Sequence, residues 1–212
     1  MQKAYDTIVI GAGQAGLAAG YHLQRAGVSF AILEAGDQPG GSWPAYYDSL
    51  RLFSPARYSA LPGRPFPGPA GRYPARDEVV AYLRDYAAHF RLPVITGVRV
   101  TEVAPAPDGF RVRAANGTVF SARAVVAATG AFHRPSLPAL PGQESFGGRI
   151  IHSAAYRRPE DFAGQRVIVV GAGNSAVQIA VELADTQGGP AEVTLATRQM
   201  PAFQHHALRL AH

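Results

Sequence analysis

Short apolar runs that end in glycine alternate with helical patterns at the start of the chain. Residues 5–10 form an apolar run typical of buried parallel strands, and Gly11 ends it. Residues 14–25 have a helical pattern that Gly27 closes, and residues 28–33 form a second apolar run. This order of strand, helix and strand over about 30 residues predicts a βαβ unit.

The same order returns near the end of the chain. Residues 166–170 and 192–196 predict strands, and residues 174–184 between them predict a helix. Gly171 and Gly173 lie in the turn that precedes this helix. The sequence therefore contains the βαβ pattern twice, and the two copies lie about 160 residues apart.

Other elements are predicted between the two copies. Residues 77–90 predict an amphipathic helix, and residues 98–103, 110–113 and 118–124 predict strands, the last of which runs on to Ala128. Residues 39–73 are rich in proline, glycine and aromatic residues and are too apolar for a linker. We expect this segment to be an ordered loop that covers another part of the protein.

Composition narrows the possible functions. The 212 residues are 47% hydrophobic, which suffices for one large domain or two small ones. They contain no cysteine, which excludes disulfides, cysteine-ligated zinc, iron–sulfur clusters and a thiol redox relay within these residues. The net charge is +5, because 19 arginines and one lysine outnumber 15 acidic residues. The basic residues are spread singly, apart from the pair Arg157-Arg158. This spacing predicts weak attraction for anionic small molecules and no nucleic-acid binding.

The uncharged stretch over residues 7–24 has nearly the length of a membrane span. Its four glycines and its polar residues fit a nucleotide-binding turn better than a span or a signal peptide. We therefore expect a cytoplasmic protein without membrane association. No metal site is expected, and three histidines of the tail are interpreted as a frayed polar end: His205, His206 and His212.

The first candidate site is the motif Gly11-x-Gly13-x-x-Gly16 between a predicted strand and a predicted helix. Its first glycine permits a tight turn, its second lets the backbone approach a pyrophosphate, and its third allows close packing of helix and strand. Glu34 lies 23 residues after Gly11, where a carboxylate accepts hydrogen bonds from a ribose diol. An ordinary glycine-rich turn with a surface glutamate is the alternative interpretation.

The second candidate site is Gly171-x-Gly173-x-x-Ala176, in which alanine replaces the third glycine. The strand that follows ends in Thr197-Arg198 rather than in an acidic residue. Because arginine pairs with a 2′-phosphate that a carboxylate would repel, this ending favours NADPH over NADH. The alternative is that Arg198 is one more solvated arginine.

Two such sites in one chain indicate a flavoenzyme that NADPH reduces, with FAD in the first site and NADPH in the second. Disulfide reductases share this plan, but they need a pair of redox cysteines that these residues lack. The predicted fold class is α/β. It comprises a Rossmann-like FAD-binding domain of the two-dinucleotide-binding-domain flavoprotein type and a partial second Rossmann-like NADPH domain.

Further motifs resemble those of the class B flavin-dependent monooxygenases. Residues 40–43 are Gly-Gly-Ser-Trp and residues 128–130 are Ala-Thr-Gly, as in that family. The family's linker motif matches Phe146-x-Gly148-x-x-x-His152-x-x-x-Tyr156. The motifs cover essentially the whole chain and are most similar to the branch that holds plant YUCCA-type enzymes and bacterial CzcO-like flavoproteins.

The resemblance implies roles for the matching residues. Those implied to bind FAD are Gly11, Gly13, Gln14, Ala15, Gly16, Glu34, Gly41, Ser42, Trp43, Val100, Thr129 and Gly130. Those implied to bind NADPH are Gly171, Gly173, Asn174, Ser175, Ala176 and Arg198. His152 would position NADPH, and a purely structural histidine at a hinge is the alternative. No catalytic side chain is assigned, because the cofactors supply the chemistry.

The activity that the resemblance implies is oxygenation of a small organic molecule. NADPH would reduce FAD, and the reduced flavin would take O₂ to a C4a-hydroperoxyflavin that oxygenates a soft nucleophile or a 2-oxo acid. An NADPH oxidase or flavin reductase is one alternative, and a non-catalytic nucleotide-binding remnant is another. Phe53 stands where flavin-containing monooxygenases have an asparagine that helps to hold the flavin, so that role is not carried over.

The resemblance also implies that related chains continue well beyond residue 212. We expect residues 1–150 to form an FAD domain without its C-terminal return segment, residues 151–165 a linker, and residues 166–212 a partial NAD(P)H domain. Such a chain would be a fragment, a truncated reading frame, or one that needs a partner, as a homo-oligomer or with a missing C-terminal half. We expect it to bind FAD weakly at best and to expose apolar surface around residues 167–170 and 193–196.

Overall fold

A computed structural model describes residues 3–132 and 135–198 of the chain. Contacts divide the chain into a first unit, residues 1–138, and a second unit, residues 139–212. The assignment of residues 1–150, 151–165 and 166–212 to an FAD domain, a linker and an NADPH domain stays a prediction.

The first unit follows the predicted order of strands and helices. Its elements are β1 (Lys3–Ile10), α1 (Gln14–Arg25), β2 (Phe30–Leu33), α2 (Arg76–His89), β3 (Val94–Ile95), β4 (Val100–Ala106), β5 (Gly109–Ala114) and β6 (Val119–Ala127). The sequence pattern does not predict β3, because two residues are too few to show a period. The α/β class of the fold is confirmed.

The six strands of the first unit form one sheet in the order β3-β2-β1-β6-β5-β4. Strand β1 runs parallel to its neighbours β2 and β6, whereas β4, β5 and β6 form an antiparallel meander. Ile10 pairs with Leu33 on one side and with Ala127 on the other, so the carboxyl ends of β1, β2 and β6 meet at one edge. The strand order reverses at β1, and a crevice at such a switch point is the usual ligand site of an open α/β sheet.

Both faces of the central strands are covered by apolar side chains. Ile8 and Val9 point to opposite faces of the sheet, and each is fully buried. Val9 lies in a first core with Leu17 of α1 and Leu83 of α2. Ile8 lies in a second core with Phe120 of the meander. This burial on both faces is what the continuous apolar runs of the sequence predict.

Two tyrosines of α2 hold the long segment between β2 and α2. The Tyr82 hydroxyl accepts a hydrogen bond from the N–H of Leu61 at 2.8 Å and donates one to the carbonyl of Arg64 at 2.7 Å. The Tyr86 hydroxyl donates to the carbonyl of Pro62 at 2.6 Å. The prediction of an ordered loop in this region is therefore confirmed.

The second unit contains the second βαβ pattern, with β7 (Arg166–Val170), α3 (Asn174–Asp185) and β8 (Glu192–Ala196). Strands β7 and β8 pair in parallel, and α3 buries Ile179 and Leu183. Ile168 and Val170 are 67% and 73% exposed, so the predicted apolar surface along this strand is present. Parallel sheets are normally covered on both faces, and the described residues leave one face of this pair of strands bare.

Among residues 3–132 and 135–198, no helix combines the length and the apolar character that crossing a bilayer requires.

The free energy of unfolding at alkaline pH tests the role of Tyr86, through which α2 holds the segment between β2 and α2. Burial raises the pKa of Tyr86 to about 12, with smaller contributions from Tyr82 and Tyr21, whereas an unperturbed tyrosine has a pKa of 10.0. Unfolding therefore releases a proton between pH 10 and pH 12, and the free energy of unfolding falls as the pH rises through this range. The total fall from this group is at most about 3 kcal/mol.

We predict that Tyr86→Phe lowers the free energy of unfolding by about 1 kcal/mol near pH 7, since the bond to Pro62 is lost. The variant should also lose stability less steeply than the parent above pH 10, because phenylalanine cannot ionise. Urea unfolding at several pH values measures both effects. The exposed Tyr73→Phe serves as the control and should keep the parent's slope. An equally steep alkaline loss in Tyr86→Phe would contradict the assignment.

Candidate dinucleotide-binding sites

In the turn between β1 and α1, backbone atoms lie so close to Gly11 and Gly16 that neither position has room for a side chain. Gly11 has a φ of +104°, and a Cβ there would lie 2.5 Å from the carbonyl oxygen of Ala128. A Cβ on Gly16 would lie 1.9 Å from the carbonyl oxygen of Gly11. The packing of the protein itself therefore requires glycine at both positions.

Gly13 differs from these two glycines, because open space adjoins it. The nearest atom to a Cβ built on Gly13 is the Cα of Gly41, at the ordinary contact distance of 3.7 Å. A Cβ on Gly41, whose φ is +56°, would approach the Cα of Gly13 to 2.9 Å. Packing explains the glycine at Gly41 but not the one at Gly13. A phosphate group bound in the open space would explain the glycine at position 13.

Helix α1 begins at this open space. Its N-cap is Gly13, which has no side chain to accept a hydrogen bond, and its first turn contains no acidic residue. The backbone N–H groups at the start of the helix, those of Gln14, Ala15 and Gly16, therefore have no side-chain cap. These donors and the positive end of the helix dipole together form an arrangement that attracts an anion.

Glu34 follows β2 directly and is buried, with 6% of its surface exposed. Its Oε2 accepts a hydrogen bond from the N–H of Ala12 at 2.7 Å, and its Oε1 accepts one from the N–H of Gly36 at 2.8 Å. The carboxylate therefore joins the glycine-rich turn to the loop that follows β2. Each oxygen can accept a second hydrogen bond, as binding of a ribose diol would require.

The Gly-Gly-Ser-Trp segment lies beside the start of α1. The indole Nε1–H of Trp43 donates a hydrogen bond to Oε1 of Gln14 at 2.6 Å. The hydroxyls of Ser42 and Tyr46 lie 3.2 Å apart, and the Trp43 and Tyr46 rings meet edge to face at 5.4 Å between centroids. The structure thus brings together three of the residues that the sequence predicts for one site.

The remaining first-unit candidates are Thr129 and Gly130, which follow β6 at this edge of the sheet, and Val100. Thr129 follows β6, and its Cα is 3.6 Å from the position that a Cβ on Gly11 would take. Gly130, with a φ of +72°, comes next. Val100 begins β4 and is half-buried against the second core. A backbone hydrogen bond of 2.8 Å joins the segment just before Val100 to the carbonyl of Glu34.

The second unit repeats this turn with weaker packing. Gly171 has a φ of +137°, and a Cβ there would lie 3.4 Å from the Cβ of Ala176. A Cβ on Gly173 would meet no atom within 4 Å. Helix α3 starts without a side-chain cap or an acidic residue in its first turn. The candidate donors there are the N–H groups of Asn174 and Ser175.

Arg198 lies two residues after the end of β8 and is exposed. The N–H of Gly171 donates to the carbonyl of Ala196 at 2.9 Å, so the end of β8 adjoins the glycine-rich turn. A guanidinium at this end of the strand is near enough in sequence and topology to serve the same nucleotide as the turn.

The linker motif belongs to the second unit. The ring of Phe146 lies over Gly148, where a Cβ would approach the ring Cζ to 2.6 Å. Nδ1 of His152 accepts a hydrogen bond from the N–H of Ala154 at 3.1 Å and so caps a short 3₁₀ turn. In its neutral form, His152 then carries its hydrogen on Nε2. His152 thus has one structural contact, and its part in positioning NADPH stays a prediction.

Tyr156 anchors the linker motif to α3. It is 3% exposed, its hydroxyl donates to Oε2 of Glu182 at 2.8 Å, and its ring stacks on Phe162 at 5.7 Å between centroids. The bond between Tyr156 and Glu182 could not be predicted from the sequence, because the two residues are 26 positions apart and no local pattern links them.

Within residues 3–132 and 135–198, no group of three or more histidine, cysteine, aspartate or glutamate side chains could hold a metal ion. Three tail histidines lie outside the described residues: His205, His206 and His212. The candidate sites therefore consist of glycines, backbone donors and a few side chains, chiefly Glu34 and Arg198.

Known proteins with similar sequences include nucleotide-dependent oxidoreductases. A protein-family model described as pyridine nucleotide-disulphide oxidoreductase matches residues 8–209. An uncharacterized CzcO-like oxidoreductase of Geobacillus kaustophilus is 42% identical over 187 residues, which cover 87% of this chain and 53% of that protein. The indole-3-pyruvate monooxygenase YUCCA1 of Oryza sativa is 39% identical over 179 residues, which cover 83% of this chain and 44% of that protein.

A solved structure extends the likeness to three dimensions. The flavin-containing monooxygenase from Stenotrophomonas maltophilia matches with a TM-score of 0.89 and 46% identity, over 95% of this chain and 60% of that one. The chain spans about half the length of the curated relatives that it matches. The family description includes disulfide chemistry, for which these 212 residues offer no cysteine.

The two backbone bonds of Glu34 predict a structural effect of its removal. In Glu34→Ala the buried N–H of Ala12 loses its acceptor, which should lower the free energy of unfolding by about 1–3 kcal/mol without any nucleotide present. Urea unfolding of the nucleotide-free chain measures this. The matched control is Glu102→Ala, since Glu102 is half exposed and pairs only with a surface arginine in the described bonds. Equal stability of both variants would contradict this role for Glu34.

Proposed function

Because this chain belongs to the pyridine nucleotide-disulphide oxidoreductase family, and flavin-dependent monooxygenases are among its relatives, we propose that the whole protein is an FAD-dependent monooxygenase that NADPH reduces. The family resemblance that the sequence motifs indicate is confirmed. The observation that carries the proposal is the open space at Gly13, which lies at the uncapped start of α1.

The first unit is proposed to hold FAD through backbone and carboxylate contacts. The pyrophosphate lies over Gly13, where the N–H groups of the first turn of α1 donate to its oxygens. Glu34 accepts hydrogen bonds from the adenosine ribose with the lone pairs that its own backbone bonds leave. The segment Gly41–Trp43 lines the ribityl and flavin end, and Val100 meets the adenine through its backbone. Thr129 and Gly130 complete this edge.

The second unit is proposed to hold NADPH around Gly171 and Gly173. The start of α3 binds the pyrophosphate, and Arg198 binds the 2′-phosphate as a charged pair. Tyr156 fixes the linker motif on α3, which keeps the 3₁₀ turn of His152 in place. When bound, FAD supplies hydride acceptance from NADPH and the activation of O₂. The side chains of this chain bind, orient and exclude water, and none acts as a nucleophile.

The proposed substrate is a small organic molecule that is oxygenated with O₂. The name of the rice relative, indole-3-pyruvate monooxygenase, supports a 2-oxo acid as the substrate class. A cytoplasmic location is part of the same proposal, since NADPH is the reductant.

Substitution of Gly13 tests the FAD site directly. The methyl group of Gly13→Ala fits the protein, since its nearest neighbour would be 3.7 Å away, but it occupies the proposed pyrophosphate space. We predict that the fold keeps its stability and that FAD affinity falls at least about tenfold, or about 1.4 kcal/mol. Calorimetric titration with FAD and urea unfolding measure the two effects.

Gly16→Ala is the matched control for this experiment. Its methyl group would lie 1.9 Å from the carbonyl oxygen of Gly11, so it should destabilise the fold even without FAD, by about 1–3 kcal/mol. Unchanged FAD affinity in Gly13→Ala would show that the pyrophosphate lies elsewhere.

Arg198 tests the preference for NADPH. We predict that Arg198→Ala weakens binding of NADPH about tenfold and leaves binding of NADH within about twofold, because only NADPH carries the 2′-phosphate. Titration with both nucleotides measures the difference, and Arg166→Ala, an exposed arginine at the opposite end of β7, is the control. Equal losses for the two nucleotides would assign Arg198 a structural role.

A further inference from the structure

An arginine at the start of α2 is bonded to the segment that follows Trp43. Arg76 is the first residue of α2, and only 12% of its side-chain surface is exposed. Its Nη1 donates to the carbonyl of Tyr46 at 2.6 Å and to Oδ1 of Asp48 at 2.9 Å. Its Nε donates to Oδ1 of Asp77 at 2.8 Å. Two of these three charge-assisted bonds therefore reach outside the helix.

Helix α2 itself is not stabilised by a cation at this position. The N-terminus of a helix carries the positive end of its dipole, so a guanidinium there is unfavourable. The first turn of α2 already contains the acidic residues Asp77 and Glu78, and Oε2 of Glu78 accepts a hydrogen bond from the N–H of Ala75 at 2.8 Å. The contacts of Arg76 with the earlier segment therefore explain an arginine here better than the needs of the helix do.

The carbonyl that Arg76 holds belongs to the residue that ends a short 3₁₀ turn. This turn comprises Trp43–Ala45, and the N–H of Tyr46 donates to the carbonyl of Trp43 at 3.2 Å. The Tyr46 ring also meets the Trp43 ring edge to face. Because Tyr46 is joined to Trp43 through both backbone and ring, a group that fixes Tyr46 also fixes Trp43.

The 3₁₀ turn is joined in turn to the start of α1. The indole N–H of Trp43 donates to Oε1 of Gln14, the first residue of α1, at 2.6 Å. Gly41, which precedes the 3₁₀ turn, lies against Gly13, where open space adjoins the helix. Contacts therefore run without a break from Arg76 through Tyr46 and Trp43 to the backbone donors of α1.

We propose that Arg76 is a positioning residue, which holds the 3₁₀ turn of Trp43 against the start of α1 and thereby raises the affinity of the first unit for FAD. The effect on affinity rests on the proposed function, whereas the positioning of Trp43 rests on the contacts alone. Arg76 acts through Tyr46 and Trp43, and the proposal includes no contact between Arg76 and the cofactor.

The single tryptophan of the chain makes this positioning measurable without a nucleotide. Trp43 is the only tryptophan, so the ¹H–¹⁵N spectrum of the 212-residue chain has one indole N–H signal. Arg76→Met keeps most of the length of the side chain and removes all its donors. We expect the indole hydrogen of this variant to exchange with solvent at least about fivefold faster than in the parent. Calorimetric titration should show an FAD affinity about fivefold to tenfold lower.

Arg72→Met is the matched control. Arg72 makes bonds of the same kinds, since its guanidinium donates to Oε2 of Glu78 at 2.7 Å and to the carbonyl of Pro67 at 2.8 Å. Its side chain is 27% exposed, and its described bonds reach neither Tyr46 nor Asp48. The control loosens the start of α2 without releasing the 3₁₀ turn. Indole exchange and FAD affinity should both stay within about twofold of the parent.

Arg76→Lys is a second variant that keeps the positive charge. The ammonium group of lysine can donate to both partners of Nη1, the Tyr46 carbonyl and Asp48, but it cannot also replace the Nε bond to Asp77. We expect indole exchange and FAD affinity within about threefold of the parent. This variant decides the question if Arg76→Met fails to fold, which the dispersion of its amide signals shows.

Four outcomes would overturn the proposal. They are unchanged indole exchange in folded Arg76→Met, unchanged FAD affinity in that variant when the parent binds FAD, changes of equal size in Arg72→Met, and a folded Arg76→Lys that shows the full losses expected of Arg76→Met. A parent chain that does not bind FAD counts against the proposed function. The indole exchange rates alone then decide whether Arg76 positions Trp43.

Discussion

The contact between α1 and the turn before it is the constraint on which the first unit depends. Because a Cβ on Gly16 would lie 1.9 Å from the carbonyl oxygen of Gly11, the helix can begin this close to β1 only without a side chain there. Gly11 in turn lies against the carbonyl of Ala128, which follows β6. One turn thus fixes the start of α1 relative to two neighbouring strands, and it places the helix N-terminus over the switch point of the sheet.

The glycines of this region fall into two groups, those that the packing requires and one that it does not. Gly11, Gly16 and Gly41 are required by backbone atoms of the protein, whereas Gly13 faces open space at the uncapped start of α1. Glu34 stabilises the same turn, because its carboxylate accepts a hydrogen bond from the N–H of Ala12. The uncapped N–H groups at the start of α1 are therefore in place before any nucleotide binds, and preorganised donors bind an anion at low entropic cost.

Much of this arrangement could be predicted from the sequence, because the signals are local. Apolar runs and glycine spacing predict both βαβ units, the boundaries of α1 and the order of the elements along the chain. The bond from Ala12 to Glu34 and the bond from Tyr156 to Glu182 could not be predicted, since the partners are 22 and 26 residues apart and only the fold brings them near.

The proposed FAD site depends most on binding of the FAD pyrophosphate at the start of α1. Amide hydrogen exchange of the chain with and without saturating FAD tests this claim at single residues. The account predicts that FAD slows exchange at the N–H groups of Gln14, Ala15 and Gly16, and leaves those at the opposite end of α1 unchanged. Slowed exchange confined to other parts of the chain, with the start of α1 unaffected, would contradict it.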